Sequence, residues 1–130
     1  MTRILIVDDD ADILELLRLE FEDETGCRAD STTDPRHALE LARTTPYDAI
    51  ITDWRMPVMN GREFISALRQ QGCTSPVIIY SGIEPDDAMK RTLETEADRY
   101  IPRRGNPDRE FAELKTSTRK IPAHTRTSSG

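Results

Sequence analysis

Five short runs of strand length, most of them apolar, alternate along the chain with segments whose apolar residues recur at helical spacing, and this alternation limits the possible folds more than any other feature. Runs of this kind are typical of βα units that build a parallel sheet. The runs at 4–7, 49–51 and 77–79 are continuously apolar, as expected for strands covered on both faces. Polar and apolar residues alternate in the run at 27–31, which indicates an edge strand. The predicted strands are residues 4–7, 27–31, 49–52, 77–80 and 99–101.

The segments between these runs are predicted to be helices. Two of them carry an apolar stripe that would face a core, one formed by Ile13, Leu14, Leu17 and Phe21 and the other by Phe64, Ile65 and Leu68. A capping side chain followed by proline occurs at Asp34 and at Asn106, which predicts helix starts near residues 35 and 107. A weaker helix is predicted from Pro85 onwards. We therefore expect a (βα)₅ succession in a three-layer, doubly wound α/β fold with the flavodoxin-like strand order 2-1-3-4-5.

The domain organisation predicted from the sequence is simple. The 130 residues match a single domain, and no Gly- or Ser-rich linker divides them. We assign residues 1–118 to this domain. Residues 119–130 contain little that is apolar, so we expect a flexible tail after a frayed helix end.

Composition argues against several classes of protein. No apolar run is long enough for a membrane span or a leader, so we expect a cytoplasmic protein without membrane association. The net charge of −6 disfavours direct binding of nucleic acid. Cys27 and Cys73 are too few for a disulfide framework or a zinc site. The acidic, lysine-poor composition resembles proteins of salt-loving microbes, although an ordinary acidic protein from a GC-rich genome fits it equally well.

Acidic residues follow the first and the third predicted strands, which are neighbours in the expected order. Ligands bind in such sheets beyond the carboxyl ends of the strands, where the winding reverses. Asp8, Asp9 and Asp10 follow the first strand, and Asp53 follows the third. Converging carboxylates without a lysine nearby repel one another, and Mg²⁺ is the cation that best compensates this repulsion. A carboxylate beside the cation could then act as a phosphoryl nucleophile.

An alternative interpretation makes the Asp run a solvated turn in which Asp9 or Asp10 caps the first helix. Asp53 favours the metal site, because it follows a buried strand and precedes the sequence WRMP, where a simple turn has no need of an acid. Trp54 is expected to form a partly exposed wall of that site.

Two motifs resemble those of the response-regulator receiver family. ILIVDDD is similar to the family's first strand with its acidic pair, and DWRMPVMNG is similar to its phosphoacceptor loop. VIIYSG resembles the family's hydroxyl position at the end of strand four, and ADRY resembles the approach to strand five. The resemblance extends from about residue 3 to residue 118.

The resemblance implies a function for each matching residue. Asp53 would accept a phosphoryl group from a sensor histidine kinase or a phosphotransfer protein. Asp9, Asp53 and the backbone carbonyl of Arg55 would bind Mg²⁺ directly, and Asp8 would bind it through a water molecule. Ser81 would donate its hydroxyl to a phosphoryl oxygen, which fits a reaction governed by positioning and charge neutralisation.

The resemblance also implies an output and little chemistry of its own. Ser81 would couple to the aromatic residue Tyr100 and so switch a surface of helix four, strand five and helix five that binds a downstream protein. We expect no enzymatic activity beyond phosphoryl acceptance and autodephosphorylation. A Mg²⁺-dependent aspartyl phosphatase would need a second acid where Arg55 stands.

One position departs from the family's pattern. The family has a lysine followed by proline at the end of strand five, where this chain reads Ile101-Pro102-Arg103-Arg104-Gly105. Arginine keeps the charge but presents a planar fork. We expect Arg103 to reach the phosphoryl group in place of the lysine, with Arg104, or no residue, as the alternatives. The substitution also leaves open a pseudo-receiver that binds partners without phosphorylation, and the following GNPDREFAEL resembles a receiver subset of archaeal signalling proteins.

Overall fold

The computed structural model describes residues 2–23 and 26–120 and contains five strands, each followed by a helix. The strands are β1 (Thr2–Val7), β2 (Cys27–Thr32), β3 (Ala49–Thr52), β4 (Val77–Ser81) and β5 (Arg99–Pro102). The helices are α1 (Ala11–Glu22), α2 (Pro35–Thr44), α3 (Gly61–Gln70), α4 (Asp87–Thr95) and α5 (Pro107–Lys120). None of these helices is both long and apolar enough to cross a membrane.

The five strands form one parallel sheet in the order β2-β1-β3-β4-β5, so the predicted fold is confirmed. β1 and β3 are direct neighbours, and Val7 pairs with Thr52 at their carboxyl ends. The residues that follow these two strands therefore emerge side by side. β3 and β4 are buried along their whole length, as their apolar sequences predict.

Alternate residues of the strands supply two apolar cores, one on each face of the sheet. The core beneath α2, α3 and α4 includes Leu5, Val7, Ile50, Ile79 and Phe64. The core beneath α1 and α5 includes Ile4, Ile51, Tyr80, Leu17 and Phe111. This division gives the three layers expected of a doubly wound sheet.

Side chains that cap backbone N–H groups determine where several helices begin. Asp34 accepts a hydrogen bond from the Arg36 N–H group, and proline occupies the first position of α2, as predicted. α5 begins at Pro107, also as predicted. α4 begins two residues later than predicted, because the carboxylate of Asp86 accepts a hydrogen bond from the Met89 N–H group and so caps the helix there.

The last helix continues beyond the point at which the sequence becomes polar. α5 extends to Lys120, past the boundary predicted at residue 118. Ser117 and Thr118 are buried, and the Thr118 hydroxyl donates to the Lys115 carbonyl, so these polar residues are accommodated within the helix. Residues 121–130, most of the predicted tail, lie outside the described residues.

A buried arginine, Arg69, fastens the end of α3 to its neighbours. Its side chain is 3 % exposed and donates to the carbonyl groups of Glu96, Cys73 and Ser75. It also pairs with Asp98, at 3.3 Å between Nη2 and Oδ2. Asp98 in turn accepts a hydrogen bond from the Val77 N–H group at the start of β4. Arg69 therefore joins the polar ends of α3 and α4 to the start of β4.

We expect Arg69→Met to lower the free energy of unfolding by about 3 kcal/mol or more, because the change leaves buried carbonyl groups and a carboxylate without their donor. Arg62→Met, an exposed change on the same helix, is the matched control and should alter it by less than about 0.5 kcal/mol. Urea denaturation followed by circular dichroism measures both values. Equal midpoints for the two variants would contradict this assignment.

Candidate functional site

Asp8, Asp9 and Asp53 meet at the carboxyl edge of the sheet. The pairing of β1 with β3 places them together, and the Asp53 N–H group donates to the Val7 carbonyl at 3.1 Å. One carboxylate oxygen from each residue lies within 4.8 Å of the others. Asp8 is buried, Asp53 is half-buried and Asp9 is exposed, so the cluster opens towards solvent on one side.

The third residue of the Asp run, Asp10, serves a different purpose. Its carboxylate accepts hydrogen bonds from the Asp12 and Ile13 N–H groups and caps α1. The two interpretations of the run, a metal site and a helix cap, therefore apply to different residues. Asp8 and Asp9 join the cluster, and Asp10 caps the helix.

Asp8 is the buried member of the cluster, and both of its oxygens are engaged. Oδ1 accepts from the Asp10 N–H group at 2.9 Å, and Oδ2 accepts from Arg103 Nη2 at 2.5 Å. Burial raises the pKa of the Asp8 carboxyl to about 6, and the Asp53 charge acts in the same direction. The hydrogen bonds to Asp10 and Arg103, together with the Arg103 charge, oppose that rise in pKa.

The Asp53 carboxylate is anchored on one side only. Its Oδ1 accepts a hydrogen bond from the Trp54 N–H group at 2.7 Å, and its backbone carbonyl accepts one from the Thr52 hydroxyl at 2.8 Å. Within the part of the chain that the structure describes, its Oδ2 has no hydrogen-bond partner. Asp53 thus presents an oriented carboxylate with one oxygen available to a ligand or to a reacting atom.

The loop after Asp53 is closed by a glycine that no other residue could replace without a shift. The Gly61 N–H group donates to the Trp54 carbonyl at 2.7 Å. A Cβ atom at Gly61 would lie 2.7 Å from the Asp53 carbonyl oxygen and 2.8 Å from Trp54 Cα. Asn60 and Glu63 form a reciprocal capping box at the start of α3, where Gly61 is the first residue of the helix.

Trp54 and Arg55, the two residues that follow Asp53, differ in their burial. Trp54 is only 8 % exposed and belongs to the core beneath α2 and α3, so the prediction of a partly exposed wall was wrong. The tight contact with Gly61 explains this burial, because it draws the Trp54 backbone onto the first turn of α3. Arg55 is exposed, and the role of its carbonyl as a metal ligand stays a prediction.

Ser81 and Tyr100, the predicted switch pair, both contact the loop after β4. The Ser81 hydroxyl accepts a hydrogen bond from the Ile83 N–H group at 3.2 Å. The Tyr100 hydroxyl donates to the Ile83 carbonyl at 2.9 Å. Ser81 is buried and Tyr100 is half-buried. Because both hydroxyls bond to Ile83, a movement of this loop would change the hydrogen bonds of both side chains.

The two arginines after β5 point in different directions. The Arg103 guanidinium pairs with Asp8, whereas Arg104 is exposed and pairs with Glu84 at 2.6 Å. Sequence reasoning placed no cation beside the acidic cluster in its resting state. The structure brings one there across a separation of 95 residues. Of the two candidates, Arg103 is the one that lies at the cluster.

Two further residues, Tyr80 and Glu110, contact this arginine or its loop and were not predicted as site residues. Arg103 Cζ lies 4.5 Å from the centroid of the Tyr80 ring, and its Nη2 also donates to the Tyr80 carbonyl at 3.1 Å. The Tyr80 hydroxyl donates to buried Glu110 at 2.7 Å. The one available sequence signal is an aromatic residue that directly follows the aliphatic residues of β4.

The donor set of the cluster fits a hard divalent cation. All three side chains offer carboxylate oxygens, the ligands that Mg²⁺ and Ca²⁺ prefer, and no cysteine or histidine joins them in the described residues. A buried, charged Asp8 gains from a second cation nearby. Asp8, Asp9 and Asp53 could therefore hold a metal ion.

Comparison with known proteins places this geometry in a family. Residues 4–115 match the family described as the response regulator receiver domain. The chain is 31 % identical to the transcriptional regulatory protein TcrA of Mycobacterium tuberculosis, over 92 % of this chain and 47 % of that protein. It is also 31 % identical to the phosphate regulon transcriptional regulatory protein PhoB of Klebsiella pneumoniae, over 92 % of this chain and 52 % of that protein. The chain thus spans about half the length of these curated relatives.

Solved structures with the same fold support the match. The receiver domain of the Francisella response regulator 1452 superposes with a TM-score of 0.78 at 28 % identity, covering 92 % of this chain and 98 % of that one. The response regulator TrrA of Thermotoga maritima, solved in complex with Mg²⁺ and BeF, superposes with a TM-score of 0.75 at 28 % identity. That alignment covers 89 % of this chain and 98 % of TrrA.

The raised pKa of Asp8 predicts how stability depends on pH without metal. The folded protein binds a proton at Asp8 more tightly than the unfolded chain does, so this contribution to stability is complete below about pH 4 and is lost as the pH rises through about 6. From pH 4 to 7 in EDTA, the free energy of unfolding of the wild type should fall relative to that of Asp8→Asn, on the order of 3 kcal/mol.

Urea denaturation at a series of pH values measures this difference. Arg103 stays charged throughout the range, so its loss of a partner in Asp8→Asn adds only a constant offset. Saturating Mg²⁺ should flatten the difference, because the metal binds the ionised carboxylate. Parallel stability curves for wild type and variant in EDTA would show that the pKa of Asp8 is not raised.

Proposed function

Because the chain belongs to the response regulator receiver family, we propose that it accepts a phosphoryl group on Asp53 in a Mg²⁺-dependent reaction and thereby switches a protein-interaction surface. The observation that carries this proposal is the half-buried Asp53 carboxylate, which has one oriented oxygen without a partner among the described residues and lies beside two further carboxylates. This arrangement suits a nucleophile next to a cation-binding site.

The reaction follows from these positions. An oxygen of Asp53 attacks the phosphorus atom of a phosphohistidine on a sensor histidine kinase or a phosphotransfer protein. The P–N bond breaks, the imidazole leaves with the electron pair, and an acyl phosphate forms on Asp53. Asp9, Asp53 and the Arg55 carbonyl would hold Mg²⁺ directly and Asp8 would do so through water, and the bound ion would neutralise the phosphoryl charge. Hydrolysis of the acyl phosphate returns the carboxylate, and we propose no other chemistry for the domain.

Two side chains are proposed to bind the phosphoryl oxygens. Ser81 ends β4, the neighbour of β3, and can turn its hydroxyl from acceptance of the Ile83 N–H bond to donation towards the phosphoryl group. Arg103 lies at the cluster and provides the cation that the family takes from lysine. TrrA, of similar fold, was solved with Mg²⁺ and BeF, which supports the same class of ligand here.

The output is proposed to pass through the loop after β4. Withdrawal of Ser81 from the Ile83 N–H group changes the loop whose carbonyl holds the Tyr100 hydroxyl. Tyr100 then biases the surface of α4, β5 and α5 between two arrangements that differ in affinity for a downstream protein. We propose a cytoplasmic location for these encounters.

Asp53 is expected to be the sole phosphoacceptor and to require Mg²⁺, because it alone in the cluster combines orientation with an available oxygen. Radiolabelled acetyl phosphate with Mg²⁺ should label the wild type but not Asp53→Ala. Asp10→Asn is the matched control, since asparagine also caps helices and this residue lies outside the cluster, and it should label normally. Label retained in Asp53→Ala, or formed in excess EDTA, would contradict the assignment.

Arg103→Ala is expected to weaken beryllofluoride binding at saturating Mg²⁺ by about ten-fold or more, because a charge-assisted contact worth roughly 1.5 to 3 kcal/mol is lost. Arg103→Lys should stay within a few-fold of the wild type. Arg104→Ala should change little, because the Arg104 side chain pairs with Glu84. Fluorescence titration of the single tryptophan measures each affinity. Unchanged binding by Arg103→Ala would favour a pseudo-receiver or a weakly switching domain.

A further inference from the structure

A continuous set of contacts joins the acidic cluster to the start of α5. Arg103 donates to Asp8 and lies over the Tyr80 ring, and the Tyr80 hydroxyl donates to Glu110. Glu110 also accepts hydrogen bonds from the Arg104 N–H group at 2.7 Å and from the Asn106 N–H group at 3.3 Å. We call Arg103, Tyr80 and Glu110 the Arg103 network.

From these contacts we infer that Tyr80 and Glu110 are positioning residues that hold the Arg103 guanidinium on Asp8, so that this side chain competes with Mg²⁺ for the acidic cluster. The inference rests on the proposed function in so far as that function places Mg²⁺ at Asp8, Asp9 and Asp53. It adds a determinant of metal affinity that lies on the α5 side of the sheet, away from the metal ligands.

Competition follows from the charge and burial of Asp8. Its side chain is 2 % exposed, and a buried carboxylate needs a cationic or hydrogen-bonding partner. Arg103 already satisfies Oδ2, and the Asp10 N–H group satisfies Oδ1. A divalent cation that approaches the cluster meets a fixed positive charge and a carboxylate already engaged with it. Both effects weaken Mg²⁺ binding relative to a site without the arginine.

The position of Arg103 depends on contacts beyond Asp8. Its Nε is buried and has no hydrogen-bond partner among residues 2–23 and 26–120, so hydrogen bonds from the described residues hold only part of the guanidinium. The Tyr80 ring offers a face 4.5 Å from the guanidinium carbon, and the Tyr80 carbonyl accepts from Nη2. Removal of the ring leaves the guanidinium free to take other rotamers.

Glu110 acts one step further away. Its carboxylate fixes the Tyr80 hydroxyl and, through two backbone N–H groups, the loop that follows Arg103. Both the ring and the loop that bear on the arginine are therefore anchored to α5. Tyr80 lies in the core beneath α1 and α5, whereas Tyr100 packs against the opposite core, so the Tyr80 ring and Tyr100 lie on opposite faces of the sheet.

The test measures the dissociation constant of Mg²⁺ at pH 8 with no phosphoryl group or analogue present. Trp54, the only tryptophan, donates its backbone N–H group to the Asp53 carboxylate and serves as the fluorescence probe, and calorimetry provides a second readout. Arg103→Ala should tighten Mg²⁺ binding about ten-fold, because a cation beside the dication is removed. Tyr80→Leu should tighten it by at least about three-fold, because the arginine is released from Asp8.

A double variant separates positioning from packing. If Tyr80 acts through Arg103, Tyr80→Leu should add nothing to the affinity gained by Arg103→Ala. Tyr47→Leu is the matched control, since Tyr47 is also buried, lies beside an arginine and donates its hydroxyl to a carboxylate, which in this case is that of Asp30 in β2. It should lower the thermal midpoint without changing the affinity for Mg²⁺.

The outcomes separate this inference from the proposed function. Wild type that fails to bind Mg²⁺ overturns both. Wild type that binds, together with an Arg103→Ala variant of equal or weaker affinity, overturns the competition alone. If Tyr80→Leu behaves like wild type while Arg103→Ala tightens binding, Tyr80 only packs the core. Should Tyr80→Leu fail to fold, Tyr80→Phe, which loses only the hydrogen bond to Glu110, should still tighten binding about two-fold, and an unchanged affinity there overturns the positioning role.

Discussion

The adjacency of β1 and β3 is the constraint on which the rest of the molecule depends. Parallel strands that are buried on both faces end at the same edge, and polar residues can appear only after the apolar runs stop. The register of Val7 with Thr52 then brings Asp8 and Asp53 together whatever the loops do. The cost is electrostatic, since the cluster includes a carboxylate that is almost completely buried. The hydrogen bonds that Asp8 accepts from Arg103 and from the Asp10 N–H group offset part of that cost.

Asp8 and Asp53 differ in how many of their carboxylate oxygens are engaged in hydrogen bonds. Asp8 has both oxygens occupied, and although burial raises its pKa, the Arg103 guanidinium and the Asp10 N–H group favour the ionised form. Asp53 keeps one oxygen without a partner among the described residues and stays half-buried, which is why we propose it as the phosphoacceptor. Gly61 shapes the loop after Asp53, because a Cβ atom at this position would lie 2.7 Å from the Asp53 carbonyl oxygen and would force the loop to shift. The orientation of the Asp53 carboxylate thus depends on local packing as well as on charge.

Features that depend on hydrophobic periodicity and on the ends of strands could be predicted from the sequence. Contacts between side chains of different helices, strands and loops could not. The strand order and the convergence of Asp8, Asp9 and Asp53 follow from hydrophobic pattern and chain topology, which are readable one segment at a time. The pairing of Arg103 with Asp8 joins residues 95 positions apart through a loop whose path no local pattern specifies. The burial of Trp54 was missed for a related reason, since it depends on how closely Gly61 approaches its backbone.

The contacts of Arg103 offer a physical reason for arginine in place of the family's lysine. A lysine ammonium is a compact charge that can satisfy Asp8 but has no planar face, whereas a guanidinium can donate to a carboxylate while it lies over an aromatic ring. Arg103 does both, with Asp8 at one Nη atom and Tyr80 beneath the guanidinium carbon. Glu110 then matters because it anchors the ring through its hydroxyl and the loop through two N–H groups. With arginine at this position, Glu110 of α5 is linked through Tyr80 to the cation that pairs with Asp8.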